Sequence, residues 1–259
     1  MLKYRPPHRR RTVDRAETAK QRAAFARVRR AEKQYAAKLR KVARHVGDII
    51  KNHPLGSVGA MERLREALKK YADVIKPWAE VSATRMIADV ARRDERAWAE
   101  NGIAMGRALR DEIERAPTGL FLREKLAENV KLITSLPTEA GERVHKLTLE
   151  AMQDGTRASE IAKEIARSGE VTISRANTIA RTEVSRTATG LLEARSKSIG
   201  SEGYIWRTVG DSDVRPSHRA MNGKFVRWDS PPTLDKMTGH AGQFPNCRCY
   251  CEPVVPDDF

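Results

Sequence analysis

ARTEVSRTATGLLEARSK, residues 180–197, is followed by YIWRTV, residues 204–209, and later by PNCRCYCEP, residues 245–253. The first stretch repeats apolar residues at steps of three and four, which is typical of a helix. The second is rich in β-branched and aromatic residues and predicts a strand. The third contains all three cysteines of the chain. A long helix followed by short strands predicts a small α+β domain over residues 171–259.

The segment after residue 203 predicts about three antiparallel strands, near 204–209, 224–228 and 247–254. Asn222-Gly223 is a strong tight-turn signal between the first two strands. Residues 214–221 hold Arg215 and His218 three positions apart, so one helical turn would put both on the same side. Residues 229–243 contain two prolines and two glycines and predict a loop.

The chain before residue 171 shows helical periodicity and little strand signal. We expect a basic flexible tail over residues 1–13, a helical arm or bundle over 14–170, and the small domain over 171–259. Within the arm, Pro and Gly near residue 55 break the pattern, and one helix is expected to end at Leu136 before another begins at Thr138. Ser168-Gly169 is expected to end a short helix, with the long helix of the small domain starting near Thr172.

The positive charge is concentrated at the N-terminus. The chain has a formal net charge of +15, and its first fifty residues hold 16 Lys and Arg against 4 Asp and Glu. Such an excess favours a polyanionic partner such as nucleic acid, although a solvated helix with a basic bias would give the same pattern. The candidate DNA-contacting residues are Arg9, Arg10, Arg11, Arg15, Arg22, Arg29 and Arg30.

Several classes of protein are disfavoured by the sequence. No apolar run approaches the ~20 residues of a membrane-spanning helix, and the basic N-terminus lacks the apolar region of a secretory signal. Three cysteines within five residues do not make a disulfide framework, so a reducing cytoplasm fits best. A phosphate-binding glycine loop and a dinucleotide fingerprint are both absent from the sequence.

The ordered motifs of the C-terminal third resemble those of the phage Mu F-like minor head protein family. That family has a helix with A-R-T-E, a W-x-T strand, D-x-x-V-R-x-x-H, a glycine turn, and a closing N-C-R-C. The matching positions in this chain, which the resemblance implies are its structural motif, are Arg181, Thr182, Glu183, Trp206, Asp211, Arg215, His218, Gly223, Asn246, Cys247 and Cys249.

The resemblance implies a structural component of the virion and not an enzyme. Its expected partners are the portal protein, the major capsid protein and packaged double-stranded DNA, with self-association as a further contact. Its expected location is the head interior near the portal, after assembly from a procapsid in the host cytoplasm. The basic arm would then face the genome or the portal channel and leave with the DNA during ejection.

The residues suggest two further interpretations of the same segment. Arg181 and Glu183 are two apart on a helix, so they should point into different parts of the small domain and clamp the helix against the strands. Glu183 is also within reach of Arg186 and Thr187. A catalytic role for Glu183 is the alternative.

The histidines and cysteines allow a zinc site formed by His218, His240, Cys247 and Cys249. A C-x-C pair in an extended strand separates its sulfurs by roughly 7 Å, so the site requires a bend at residues 246–248. Otherwise the cysteines are small buried residues and His218 bonds Asp211 or the Asn246 loop. Zinc would suit a free nucleic-acid-binding protein, whereas Asp211, Asp213 and His218 together would suit a metal-dependent hydrolase.

Overall fold

The computed structural model describes residues 15–53, 58–105, 118–153 and 158–255. The expected N-terminal tail, with Arg9, Arg10 and Arg11, lies outside these ranges, as do the side chains of Arg15 and Arg22. Within the described ranges, no helix is long and apolar enough to cross a membrane.

The described chain forms a helical region followed by short antiparallel strands, which confirms the α+β class. The helices of the first region are α1 (Arg15–Lys51), α2 (Val58–Val74), α3 (Lys76–Met105), α4 (Gly119–Gln153) and α5 (Ala158–Ser198). The C-terminal elements are β1 (Gly203–Arg207), α6 (Pro216–Arg219), β2 (Phe225–Arg227), β3 (Thr233–Leu234), β4 (Met237–Thr238) and β5 (Tyr250–Pro253).

The main core of the helical region lies where α5 packs against α1, α3 and α4. Helix α1 contributes Tyr35 and Leu39, which are fully buried, and α5 contributes Ala180 and Val184, which are not exposed at all. These residues recur at steps of four, so each helix presents one apolar stripe to its neighbours. One face of α5 is thereby buried in the bundle as far as Leu191, and another face of the same helix bonds the segment that precedes β5.

Helix α4 is continuous through Pro137, so the expected break between Leu136 and Thr138 is wrong. Ile133 and Leu136 before the proline and Ala140 after it are all completely buried. The apolar stripe therefore runs across the proline, and packing outweighs the lost backbone hydrogen bond. The Thr138 hydroxyl donates to the Ser135 carbonyl at 3.1 Å and so satisfies one carbonyl close to the interruption.

Helix α5 is likewise continuous through Ser168-Gly169, which was expected to end a helix. Gly169 lies where α5 passes close to Gly47 of α1. A Cβ built on Gly169 would be 3.3 Å from the Cα of Gly47. Glycine at this position therefore allows two helices to approach closely, because it has no side chain, and it does not end the helix. The expected boundary at residues 170–171 falls inside this helix, and the division into domains stays a prediction.

The strands form a three-stranded antiparallel sheet in the order β2-β1-β5. Tyr204 and Trp206 of β1 point into the small core and are fully buried. Gly223 has φ +82, and its amide donates to the Trp206 carbonyl at 2.8 Å, so the predicted Asn222-Gly223 turn starts β2. Part of the loop expected at 229–243 is instead the hairpin β3-β4, in which Asp235 and Lys236 both have positive φ.

Candidate functional site

A row of polar side chains on α5 bonds the segment 241–246 that precedes the cysteines. Thr182 Oγ1 accepts from the Asn246 amide at 3.1 Å. Arg186 Nε donates to the Gln243 carbonyl at 2.8 Å, and Thr189 Oγ1 donates to the Ala241 carbonyl at 2.8 Å. These positions are three or four apart and share one helix face. The irregular segment thus has its backbone groups satisfied by one regular element.

Glu183 points away from the strands and into the helical bundle. Its side chain is 2% exposed, and it accepts from Arg186 at 3.1 Å and from Asn129 of α4 at 3.5 Å. The Asn129 oxygen in turn accepts from the Tyr35 hydroxyl of α1 at 3.0 Å. The expected contact with Arg186 is confirmed, and so is the one with Thr187, which donates to the Glu183 carbonyl.

The environment of Glu183 opposes its ionisation. Burial, followed by repulsion from the Glu128 carboxylate, raises the pKa of Glu183, whereas Lys125 and Arg186 act in the opposite direction. Burial and the nearby Glu183 charge also raise the pKa of Tyr35. The carboxylate is therefore a buried charge that depends on Arg186 and Asn129 for compensation.

Arg181 takes a different direction from Glu183, as expected, but its main partner lies in the helical region. Its Nε donates to Glu32 of α1 at 2.9 Å, and its Nη1 donates to the Asn246 side chain at 3.4 Å. The A-R-T-E residues therefore join α5 to α1 through Arg181, to α4 through Glu183, and to the cysteine segment through Thr182. The expected clamp against the strands is wrong for Glu183, because its partners are in the bundle.

Asp211 and Asp213 bind Arg248, which lies between Cys247 and Cys249. The Arg248 guanidinium is 2.6 Å from Asp211 and 2.9 Å from Asp213. Arg215 stabilises the same region by donating to the Pro245 carbonyl at 2.8 Å. His218 contacts Cys247 and Cys249 and not Asp211, so the bond to Asp211, one of the two alternatives expected for His218, is not formed. The two carboxylates share one arginine as their partner and are not gathered with His218 as a cation site.

His218, Cys247 and Cys249 converge in the core of the C-terminal region, and their ligand atoms all lie within 4.8 Å of one another. The Nδ1 atom of His218 is 3.4 Å from the sulfur of Cys247 and 3.6 Å from that of Cys249. Asn246 has φ +57, and β5 begins only at Tyr250. The chain is therefore bent at the cysteines, which removes the separation expected for an extended C-x-C pair.

The surroundings shift the pKa values of the two thiols in opposite directions. A hydrogen bond with the Cys249 thiol, helped by the amides of Cys249 and Gly242 and opposed by burial, lowers the pKa of Cys247 to about 5. The same bond and burial raise the pKa of Cys249. Cys247 is therefore the more acidic thiol of the pair. The Cys249 amide also donates to the Cys247 sulfur at 3.4 Å.

The side chain of His218 is fixed by its surroundings. Its ring centroid lies 4.8 Å from that of Phe244 and 5.5 Å from that of Trp206, both in edge-on geometry. Its second nitrogen, Nε2, is buried without a hydrogen-bond partner, and the nearest carboxylate oxygen, on Asp235, is 3.9 Å away. The ring is thus oriented with Nδ1 toward the sulfurs.

His240 and Cys251 do not belong to this cluster. His240 Nδ1 lies 3.2 Å from the Tyr204 hydroxyl, and the Cys251 sulfur lies 3.6 Å from the Ala241 carbonyl oxygen, to which the thiol donates. Both residues are nevertheless buried, Cys251 in the same small core and His240 against the core residues Tyr204 and Trp228. The structure therefore brings together three of the four residues expected to bind zinc and leaves His240 in another bonding environment.

A cleft of about 270 Å³ opens beside the cluster and reaches its three ligand residues. Three arginines and one carboxylate also line the cleft. Its full lining consists of Arg181, Asp213, Val214, Arg215, His218, Asn246, Cys247, Arg248 and Cys249. The cleft thus borders the buried cluster, and two of its arginines are ion-paired, Arg181 with Glu32 and Arg248 with Asp211 and Asp213.

The described part of α1 carries an exposed basic surface. Of the candidate DNA-contacting residues, Arg29 and Arg30 are described with their side chains, and both are exposed. Lys33, Lys41 and Arg44 are exposed farther along the same helix. The opposite side of α1 is buried in the main core.

Sequence reasoning missed several residues that complete these networks. Arg248 was available from the N-C-R-C motif, although its pairing with two aspartates was not. Asn129 and Asp235 gave no sequence signal, because their partners lie 54 and 17 positions away along the chain. Thr189 shares a helix face with Thr182 and could have been found from that spacing.

Comparison with known proteins agrees with the motif order. Residues 142–252 match the family described as Phage Mu protein F like protein. An uncharacterized protein of Haemophilus influenzae is 32% identical over 132 residues, which cover 51% of this chain and 29% of the relative. The chain therefore spans less than a third of the length of that curated relative. No solved structure matches this chain. The segment 142–252, which contains every motif residue from Arg181 to Cys249, is thus similar to the Phage Mu F-like family.

Proposed function

We propose that this chain is a bacteriophage minor head protein that acts in head morphogenesis by binding and not by catalysis. The observation that carries the proposal is the family match over residues 142–252, since the Mu F-like family is one of structural phage head proteins. The motif residues support a structural role, because most of them bond other parts of the chain. Arg181, Thr182 and Glu183, for example, each bond a different segment.

The finer parts of the proposal concern partners and place. The C-terminal region would contact the portal protein or the inner capsid wall, and the chain would enter the procapsid in the host cytoplasm and remain in the head interior. The basic α1 surface would face packaged DNA. Support comes from the exposed Arg29, Arg30 and Lys33 and from the charge excess of the first fifty residues.

Co-expression with the portal and major capsid proteins of the same genome tests the structural role. Particles are purified, and each protein is quantified by mass spectrometry, with and without the portal protein. We expect a fixed, low copy number that depends on the portal. A chain that stays entirely in the soluble fraction in both cases would overturn the proposal.

Salt-dependent binding to a duplex of arbitrary sequence tests the DNA-facing surface. Each neutralised phosphate contributes about −0.9 to the slope of log K against log salt. Replacing Arg29 and Arg30 by Glu removes two phosphate contacts, so the magnitude of the slope of log K against log salt should fall by about 2. The matched control replaces Lys69 and Lys70, which are exposed on α2, by Glu. An equal loss in both double variants would mean that net charge, and not the α1 surface, governs binding.

A further inference from the structure

The cluster of His218, Cys247 and Cys249 combines two soft sulfur ligands with one imidazole nitrogen. This donor set is among those that bind zinc, and all three residues are buried at 6% exposure or less. We propose that His218 Nδ1 and the sulfurs of Cys247 and Cys249 form a zinc site with a fourth position open to the adjoining cleft. The inference does not depend on the head-protein role.

The two distances from His218 Nδ1 to the cysteine sulfurs fit a tetrahedral ion. Zinc lies ~2.3 Å from thiolate sulfur and ~2.0–2.1 Å from histidine nitrogen, so tetrahedral angles would separate sulfur from nitrogen by about 3.6 Å. The two measured separations from Nδ1 are 3.4 and 3.6 Å. The sulfurs lie within 4.8 Å of each other, whereas two sulfurs on one tetrahedral zinc would lie about 3.8 Å apart. Binding would therefore draw the two sulfurs together by up to about 1 Å.

The residues around the cluster suit a metal ligand set. A metal-bound histidine usually gives its second ring N–H to a carboxylate or another acceptor. Here the second nitrogen of His218 is buried and lacks a hydrogen-bond partner, and Asp235 Oδ2 lies 3.9 Å away. Asp235 is itself held by the Ser217 hydroxyl at 3.0 Å. A short movement of this carboxylate would complete the support of the imidazole.

The fourth position distinguishes this site from a closed structural one. Among the described residues, the metal-binding cluster consists of three side chains. Sites with three protein ligands keep one position for water or another small ligand. The cleft reaches all three ligand residues and is also lined by Arg181, Arg215 and Arg248. Because Arg181 and Arg248 are already paired with carboxylates, we expect water as the fourth ligand.

Metal content of the full chain tests the proposal. The protein is purified under a non-thiol reductant without chelator, and zinc is measured by mass spectrometry. We expect about one zinc per chain. Removal with a chelator should lower Tm, and added zinc should restore it, because a ligand that binds only the folded state stabilises it. Zinc-free protein that neither binds added zinc nor changes in Tm would overturn the proposal.

Two pairs of variants locate the ligands. Cys249→Ser and His218→Gln should abolish stoichiometric zinc, whereas Cys251→Ser and His240→Gln should retain it. Cys249 and Cys251 are equally buried, at 6% exposure, and both histidines are buried against aromatic residues of the small core, so the controls match the test residues in type and environment. Equal losses in Cys249→Ser and Cys251→Ser would refute the assignment.

Cobalt substitution gives a readout that does not depend on any variant folding. In the unmutated chain, Co²⁺ at this site should produce strong thiolate-to-metal charge-transfer bands and the intense visible bands of tetrahedral coordination. Weak, octahedral-type bands without sulfur charge transfer would mean that the thiols and imidazole pack as a hydrogen-bonded cluster.

Discussion

Replacing Arg186 by Ala removes the cation on which the buried Glu183 depends. Arg186 donates to Glu183 at 3.1 Å and to the Gln243 carbonyl at 2.8 Å. Removing one partner of a buried ion pair costs about 3–5 kcal/mol. Because 28% of the Arg186 side chain is exposed, water can partly replace it, and we expect a loss of about 3 kcal/mol in the free energy of unfolding.

The cost should depend on the charge of Glu183. In the Glu183→Gln background the buried carboxylate is gone, so removing Arg186 should cost only about 1 kcal/mol, the value of the bond to Gln243. The difference between backgrounds gives a coupling of about 2 kcal/mol, within the range of residues in contact. Urea unfolding of the four proteins, followed by tryptophan fluorescence, measures each value at neutral pH.

Acidification should reduce the same cost. Burial raises the pKa of Glu183 above its ordinary value of 4.5. The folded protein therefore holds this proton in a range where the unfolded chain has released it, so the contribution of Glu183 to stability is greatest below pH 4.5 and falls as pH rises. Once Glu183 is protonated, Arg186 has less charge to compensate.

The control is Arg167→Ala on the same helix. Arg167 pairs with Glu164, but the two side chains are 67% and 52% exposed, so the change should cost less than ~0.5 kcal/mol. An Arg186→Ala cost that is the same in both Glu183 backgrounds and at all pH values would refute the idea of a compensated buried charge.

Two further changes probe the framework of the molecule. Asp94→Ala should lower the free energy of unfolding in urea by about 3 kcal/mol, because it removes the carboxylate that lies 2.7 Å from the guanidinium of Arg195, a side chain that is 11% exposed; a cost below about 1 kcal/mol would contradict this. Gly242→Ala should cost about 2–3 kcal/mol in the same assay, because φ is +87 and the new Cβ would lie 2.7 Å from the Thr189 hydroxyl oxygen. Gly119→Ala, with nothing within 4 Å of the new Cβ, is the control and should be close to neutral or stabilising; similar losses in both glycine variants would contradict the steric explanation.

Local signals in the sequence predicted much of the fold. The apolar stripes placed α1 and the C-terminal half of α5, because helical periodicity depends on near neighbours. The Asn222-Gly223 turn was predicted from the backbone freedom of glycine, and Gly223 does have positive φ. The order of motifs likewise indicated the family over the segment in which the match was found.

Other features were decided by tertiary packing. Pro137 and Gly169 are helix breakers by local preference, yet both lie inside helices, because a continuous buried stripe supports one and a close helix crossing requires the other.

The sequence by itself determined the α+β class and the residue types available to the site. The tertiary structure decided which of them meet: Glu183 turned toward Asn129, and His218 joined Cys247 and Cys249 while His240 bonded Tyr204. These contacts join residues 29 to 54 positions apart. The bend at Asn246 that brings the sulfurs together depends on bonds from α5. Such contacts arise only when the whole chain packs, because burial and long-range hydrogen bonds, and not local propensity, select them.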